Sequence, residues 1–180
     1  MSRIDESRAV IPVNIAVLTV SDTRSLAEDR SGDTLVKRLE AAGHKLAARA
    51  IVTDERAKIA AQLRAWVADP GVDAIISTGG TGLTGRDVTV EAHRDVYEKE
   101  IEAFGTLFTQ VSIAKIGTSA VQSRACGGVA GGTYLFALPG SPGACKDGWD
   151  EILQPQLDYR HMPCNFVEIM PRLEEHKRRK

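Results

Sequence analysis

Residues 74–92 read AIISTGGTGLTGRDVTVEA, and this stretch decides the fold that the sequence predicts. Its first residues, Ala74-Ile75-Ile76, are typical of a buried strand, and glycines at positions 79, 80, 82 and 85 make the next segment a loop. Arg86-Asp87 then lead into sequence with a helical pattern. A glycine-rich turn between a strand and a helix aims backbone N–H groups into one concavity, and the helix N-terminus adds positive potential. The stretch therefore predicts a loop that binds an anion such as phosphate.

Strand and helix patterns alternate on both sides of this loop. Apolar runs predict further strands at residues 14–20, 46–52 and 133–138. Helical spacing predicts helices at about residues 31–42, 56–68, 89–111 and 144–157, with Ser31 as the first N-cap, whereas residues 117–132 predict no clear element. The expected fold class is therefore α/β, a single-domain α/β/α sandwich whose central sheet is mostly parallel.

Length, charge and cysteine content exclude several classes of protein. The 180 residues suit one domain, with flexible ends expected at residues 1–11 and 171–180. Lys and Arg total 23 against 24 for Asp and Glu, which gives no electrostatic reason for a nucleic-acid or membrane partner. No apolar run approaches the roughly 20 residues of a membrane span. Charges near the N-terminus and an odd number of cysteines without a C-x-x-C pair predict a cytoplasmic protein with reduced thiols.

Polar residues and glycines follow each predicted strand of the sheet. Because the carboxyl ends of parallel strands meet at one edge, four loops are expected to converge on one crevice. The candidate binding residues on these loops are Ser21, Asp22, Asp54, Thr78, Gly79, Gly80, Thr81, Gly82, Asp87, Pro139, Gly140 and Ser141.

Two known phosphate-binding motifs are rejected for the glycine loop. Residues 80–85 match G-x-G-x-x-G, the dinucleotide-binding fingerprint. The acidic residues about 20 positions later, Glu100 and Glu102, fall in a helical pattern rather than at the end of a second strand, so a ribose contact is not supported. No Gly-Lys-Ser/Thr triplet follows the glycines, which excludes a P-loop. A purely structural turn stays open as the alternative to an anion site.

Two aspartates at this edge suggest a metal ion. Asp54 and Asp87 would repel a phosphate unless a cation lay between them, and Mg²⁺ commonly binds one or two carboxylates together with substrate phosphates. A nucleotide–magnesium site is therefore predicted, to which Asp22 could contribute. A structural alternative remains for each residue, since Asp87 stands where a helix N-cap is expected and Asp54 joins a strand to a helix. No G-x-S-x-G motif, Cys–His pair or zinc-like histidine spacing is present.

Several motifs together resemble the MoaB/MogA family of molybdenum cofactor biosynthesis proteins. They are TVSDTR at 19–24, SGD at 31–33, DE at 54–55, STGGTGLTGRD at 77–87, SR at 123–124, LPG at 138–140 and PCNF at 163–166. The resemblance covers nearly the whole chain, and the turn after residue 138 and the PCNF segment are closer to MoaB than to MogA.

The resemblance implies a chemistry for the crevice. Family members form trimers or hexamers and bind molybdopterin, and active members use Mg²⁺-ATP to adenylylate its terminal phosphate, releasing pyrophosphate. By this resemblance Asp54 and Asp87 are the catalytic, Mg²⁺-holding carboxylates, residues 79–82 bind phosphate, and Ser123 lines the ligand pocket with residues 139–141. It also implies hand-off to a molybdenum-insertion protein. A molybdopterin-binding or carrier protein without catalysis is the alternative, and a structural trimer that binds only adventitious anions is a third possibility.

Overall fold

The structure is a computed structural model that describes residues 3–178. Its strands are β1 (Arg3–Ile4), β2 (Asn14–Val20), β3 (Lys45–Val52), β4 (Ala74–Thr78), β5 (Lys99–Glu100), β6 (Cys126–Ala130), β7 (Thr133–Leu138) and β8 (His161–Met162). Its α-helices are α1 (Arg30–Ala41), α2 (Arg56–Val67), α3 (Thr89–Arg94), α4 (Glu102–Ile116), α5 (Pro142–Gly148), α6 (Gln154–Leu157), α7 (Phe166–Ile169) and α8 (Glu175–Arg178). A 3₁₀ segment, Gly117–Gln122, follows α4, and a π-helical segment, Trp149–Leu153, joins α5 to α6.

The central sheet has six strands in the order β3-β2-β4-β7-β6-β5. The first four pair in parallel, while β6 pairs antiparallel with β7 and with β5 at one edge. Strands β1 and β8 form a separate antiparallel pair. The mostly parallel α/β fold class is thus confirmed.

Helices cover both faces of the sheet, because the central strands are apolar on both sides. In β4, Ile76 packs into one core with Leu35, while its neighbour Ile75 packs into the opposite core with Ile59. Every residue of β4 and β7 is buried, as continuous apolar runs predict for strands with two covered faces. No helix among residues 3–178 is both long and apolar enough to cross a membrane.

The first helix begins earlier than the sequence predicts. The N-cap is Asp29 rather than Ser31, and its carboxylate accepts a hydrogen bond from the N–H of Gly32 at 2.9 Å. Asp29 is fully buried and is also bound by Arg49 of β3, a contact that capping patterns do not contain. The later prediction of a helix at 144–157 was also inexact, since α5 begins at Pro142.

The single helix predicted from residue 89 is wrong, because the chain forms α3 and α4 with β5 between them. The backbone between these helices bonds to β6: Glu98 donates to the carbonyl of Val129 at 2.8 Å, and Ile101 donates to that of Gly127 at 2.7 Å. The helical position that the sequence predicts for Glu100, used above to reject a ribose contact, is also wrong. Glu100 lies in an antiparallel edge strand and forms an ion pair with Arg94, so it still does not end a second parallel strand.

The chain ends and the glycine-rich segment also contain structure. Within residues 1–11, β1 pairs with β8, and within 171–180 the chain forms α8. Residues 1, 2, 179 and 180 lie outside the described part. In residues 117–132, which predict no element, the structure has a 3₁₀ segment and β6.

Candidate functional site

The loops after β4 and β7 lie in direct contact at the carboxyl edge of the sheet. The N–H of Gly79 donates to the carbonyl of Leu138 at 3.1 Å, and Thr78 Oγ1 donates to the carbonyl of Pro139 at 3.0 Å. A Cβ built on Gly140 would lie 3.0 Å from the Cα of Gly79. Glycine at both positions therefore lets the two loops approach closely.

The loops after β2 and β3 join the same crevice. The N–H of Asp54 donates to Asp22 Oδ1 at 3.1 Å, which ties these two loops together. Ser21 Oγ accepts from the N–H of Arg24 at 3.2 Å, and the Arg24 guanidinium donates to the carbonyl of Gly140 at 3.2 and 3.3 Å. All four predicted loops thus meet at one edge of the sheet.

Two glycines of the loop adopt backbone conformations, and make close contacts, that disfavour any residue with a side chain. Gly79 and Gly80 have φ angles of +98° and +63°, in the left-handed region. A Cβ on Gly79 would lie 2.3 Å from the carbonyl oxygen of Val20. A Cβ on Gly80 would lie 2.4 Å from Thr89 Oγ1 and 2.8 Å from Asp54 Oδ1. The Asp54 carboxylate therefore packs directly against the loop.

Several backbone donors of this loop are unused by the protein. Among residues 3–178, no hydrogen bond uses the N–H of Gly80, Thr81 or Leu83. Thr81 is only 2% exposed. Backbone N–H groups that are buried almost always have an acceptor, from the protein, from water or from a ligand. The loop can therefore offer donors to an anion.

The Asp87 carboxylate stabilises the glycine loop by accepting hydrogen bonds from a residue of the same loop. Its Oδ2 accepts from the N–H of Thr84 at 2.8 Å and from Thr84 Oγ1 at 2.7 Å. Partial burial raises the pKa of Asp87, but these hydrogen bonds outweigh it and hold the pKa below its ordinary value. The helix N-cap interpretation is wrong, because Val88 holds that position in α3 and no side chain caps it.

Asp54 is the carboxylate in this crevice whose charge is least compensated. No side chain among residues 3–178 donates a hydrogen bond to its carboxylate, although a hydrogen bond from the backbone of Asp22 lowers its pKa in part. Burial raises the pKa of Asp54, and the negative charges of Asp22 and Asp87 raise it further. A nearby cation would relieve both effects. Asp54 therefore suits a metal ion by its chemistry.

Asp22 differs from Asp54 because it already has a cationic partner. Arg86 donates to it from Nη2 at 2.7 Å and from Nε at 3.0 Å, and this bond holds the pKa of Asp22 below its ordinary value. Among residues 3–178, there is no group of three or more His, Cys, Asp and Glu side chains that could hold a metal ion. A Mg²⁺ ion would thus need oxygen ligands from phosphate and water as well.

Ser123 and the turn after β7 line a cavity of about 190 Å³ beside α4. Pro139 and Ser141 are among its walls, together with Lys115, whose ammonium pairs with Asp147 at 2.9 Å. Ser141 also has a structural role, since its Oγ accepts from the N–H of Ala144 and caps α5. Pro139 connects this cavity to Thr78, the last residue before the glycine loop, and Ser123 also lines a second cavity, together with Arg124.

Arg124 was not among the predicted site residues, although the structure places it against the glycine loop. Its Nε donates to the carbonyls of Thr81 and Gly82, each at 3.1 Å, and its Nη2 donates to the carbonyl of Asp87 at 3.2 Å. The Ser-Arg pair at 123–124 was one of the motifs behind the family resemblance. Nothing local in the sequence indicates that this side chain reaches residues 81–87.

Comparisons with known proteins agree with the fold and with the family resemblance. Residues 16–159 match the family model described as "Probable molybdopterin binding domain". The protein named Molybdenum cofactor biosynthesis protein B from Escherichia coli (strain K12) is 46% identical over 160 residues, which cover 89% of this chain and 94% of that protein. The protein of the same name from Bacillus subtilis (strain 168) is 41% identical over 146 residues, 81% of this chain and 86% of that protein.

Solved structures are similar over most of the chain. A crystal structure of Molybdenum cofactor biosynthesis protein B aligns with a TM-score of 0.84 and 36% identity, covering 93% of this chain and 99% of that one. The tungsten cofactor synthesizing protein MoaB from Pyrococcus furiosus aligns with a TM-score of 0.70 and 29% identity, covering 93% and 98%. The similarity therefore spans the whole sheet and the loops at its carboxyl edge.

Proposed function

The chain belongs to the MoaB/MogA family of molybdenum cofactor biosynthesis proteins, with a molybdopterin-binding domain, and from this premise we propose that it is a molybdopterin adenylyltransferase. In this function it transfers AMP from Mg²⁺-ATP to the terminal phosphate of molybdopterin and releases pyrophosphate. One observation carries the proposal. The glycine loop has unused N–H groups at Gly80, Thr81 and Leu83, and beside them lies the carboxylate of Asp54, to which no side chain among residues 3–178 donates.

The metal ion would be held by Asp54 and Asp87. Asp54 fits this role better, because the Asp87 carboxylate is already engaged by the Thr84 side chain, whereas no side chain among residues 3–178 donates to that of Asp54. Mg²⁺ in such a position neutralises charge between phosphates and carboxylates. The residues of this chain therefore fit a metal that arrives with its nucleotide rather than one in a closed protein cage.

In the proposed reaction, the residues of this chain align the substrates and stabilise negative charge. The attacking phosphate is anionic at neutral pH, so the reaction requires no general base. Fixed N–H donors of the loop bind and orient phosphate oxygens at no reorganisation cost during the reaction. We assign the pterin to the cavity of Ser123, Pro139 and Ser141, which Pro139 connects to Thr78 at the start of the loop. The proposed substrates thus occupy adjacent parts of one crevice.

We also propose that the protein acts as a homo-oligomer, either a trimer or a hexamer. The outer side of α4 and the 3₁₀ segment after it support this, because Ile113, Ile116 and Val121 are 54%, 55% and 77% exposed. Apolar side chains grouped in this way favour burial against another chain.

We propose a cytoplasmic location, with which the free cysteines agree. The activated pterin would then pass to a molybdenum-insertion protein.

A molybdopterin carrier without catalysis is the second candidate. The bonds from Thr84 to Asp87 favour it, since they give that carboxylate a purely structural task. Two titrations, one with Mg²⁺-ATP and one with molybdopterin, followed by a pyrophosphate-release assay with both, separate the candidates. Binding of both with pyrophosphate release supports the adenylyltransferase. Binding of the pterin alone supports the carrier, and binding of neither overturns both.

A further inference from the structure

Arg124 makes an unusual set of contacts for an arginine outside the predicted site. Its side chain is 30% exposed, and its donors reach three carbonyl oxygens of the glycine loop, those of Thr81, Gly82 and Asp87. These carbonyls belong to residues 37 to 43 positions earlier in the chain. One guanidinium therefore holds both ends of the segment 81–87.

Glu91 of α3 fixes the orientation of this guanidinium. Its two carboxylate oxygens accept from Arg124 Nη1 and Nη2, the latter at 3.2 Å. The hydrogen bond from Arg124 also holds the pKa of Glu91 below its ordinary value, so the pair is charged at neutral pH. Arginine suits this task because its planar fork carries five donors in a fixed geometry, which lysine cannot reproduce.

These contacts decide where the loop's N–H groups point. In a planar trans peptide the C=O and N–H bonds point in opposite directions. Because the Thr81 and Gly82 carbonyls face Arg124, the N–H groups of Gly82 and Leu83 face away from it. The N–H of Gly82 is then directed to the Asp87 carboxylate and helps to lower the pKa of that group, while the N–H of Leu83 stays unused.

We infer that Arg124, anchored by Glu91, is a positioning residue that holds residues 81–87 in the conformation that binds the phosphates of the nucleotide. This inference rests on the proposed function for the identity of the anion. Arg124 touches neither the substrate donors nor the metal-binding carboxylates with its own side chain, and it acts through the backbone of Thr81, Gly82 and Asp87.

The chain offers a matched control for this pair. Arg38 is 29% exposed and binds Asp150 in a similar two-point manner, from Nε at 2.9 Å and from Nη2 at 3.3 Å. It joins α1 to the π-helical segment and has no bond to the glycine loop. Substitution of Arg38 therefore removes a comparable ion pair and leaves the contacts of residues 81–87 unchanged.

The test compares Arg124→Gln, Arg124→Lys and Arg38→Gln by amide hydrogen exchange of the ligand-free protein and by titration with Mg²⁺-ATP. We expect Arg124→Gln to speed exchange at Thr84 and Asp87, whose N–H groups are hydrogen-bonded within the loop, and to weaken Mg²⁺-ATP binding roughly 10- to 100-fold. Arg124→Lys should restore part of both effects, since it keeps the charge but loses the fork. Arg38→Gln should change neither.

Two results would overturn the inference. One is unchanged exchange at residues 81–87 in Arg124→Gln, and the other is faster exchange with wild-type affinity for Mg²⁺-ATP. A third result concerns the proposed function alone. If the wild-type protein binds neither Mg²⁺-ATP nor molybdopterin, that function fails, and the exchange comparison with Arg38→Gln still decides whether Arg124 holds the loop.

Discussion

The Cα of Gly80 lies against the carboxylate of Asp54, so that a Cβ at position 80 would be 2.8 Å from Asp54 Oδ1. The two residues come from loops after different strands, β4 and β3. Their contact brings the unused N–H groups of one loop next to the carboxylate of the other. It also makes the glycine at this position testable by substitution.

Gly80→Ala should destabilise the fold by about 1–3 kcal/mol, because a left-handed φ and a 2.4 Å approach to Thr89 Oγ1 both oppose a methyl group. Urea unfolding measures the effect. Gly85→Ala is the control, since no heavy atom lies within 4 Å of a Cβ built there. Equal stability of the two variants would show that the loop relaxes freely around residue 80.

Asp54→Asn should raise the unfolding free energy at neutral pH by about 0.5 kcal/mol and abolish tight Mg²⁺-ATP binding. The raised pKa of Asp54 means that the folded state holds its proton more tightly than the unfolded chain. The carboxylate therefore lowers stability as pH rises from the unfolded pKa through the folded pKa, and the full penalty is present at neutral pH.

Urea titrations at neutral and acidic pH check the sign of this effect. The advantage of Asp54→Asn over the wild type should shrink as pH falls through the folded pKa of Asp54 and vanish below its unfolded pKa. Asp22→Asn should act in the opposite direction, because Arg86 holds the pKa of Asp22 low and its charge stabilises the fold at neutral pH. A destabilised Asp54→Asn protein at neutral pH would contradict the prediction.

Asp87→Asn should keep the fold and lose roughly 10- to 100-fold of the proposed pyrophosphate release. An asparagine Oδ1 can still accept the two hydrogen bonds from Thr84, so the unfolding free energy should fall by less than about 1.5 kcal/mol. Thr84→Val is the control, because it removes one of those bonds and leaves the carboxylate. Wild-type turnover by Asp87→Asn would remove this residue from the metal site.

His93 should make the protein sensitive to acid. Its ring is fully buried, with Nε2 2.8 Å from Ser77 Oγ and Nδ1 3.0 Å from the Tyr97 hydroxyl, and burial lowers the pKa of His93 to about 3. The unfolded chain then binds the proton first, so the stability that neutral His93 contributes is present above a pH of about 6.5 and lost as pH falls toward the folded pKa.

The expected slope from this one group is at most about 1.4 kcal/mol per pH unit below that point. Urea unfolding of the wild type and of His93→Gln between neutral pH and about pH 4.5 measures it. The variant should be less stable at neutral pH but lose less stability on acidification. Parallel pH profiles for the two proteins would mean that His93 is not the group that titrates.

Much of the sheet could be predicted from local sequence. The buried strands β2, β4 and β7 follow from continuous apolar runs, and their order of alternation with helices predicts the parallel sheet and its common carboxyl edge. Local patterns gave a wrong prediction where the backbone forms hydrogen bonds to a strand that is distant in sequence. The helical pattern after residue 89 breaks at β5, because hydrogen bonds to β6 replace those of the helix.

The sequence by itself determined that a glycine loop, two aspartates and a proline turn would share one edge, since strand patterns and turn residues depend on neighbours a few positions away. Only the tertiary structure decided what each group does there. It directed the Asp87 carboxylate to Thr84, left the Asp54 carboxylate without a side-chain donor among residues 3–178, and placed Arg124 against the carbonyls of the loop. The contacts of Arg124 with the loop and of Asp54 with Gly80 join residues tens of positions apart, and packing of whole elements, rather than local propensity, sets their geometry.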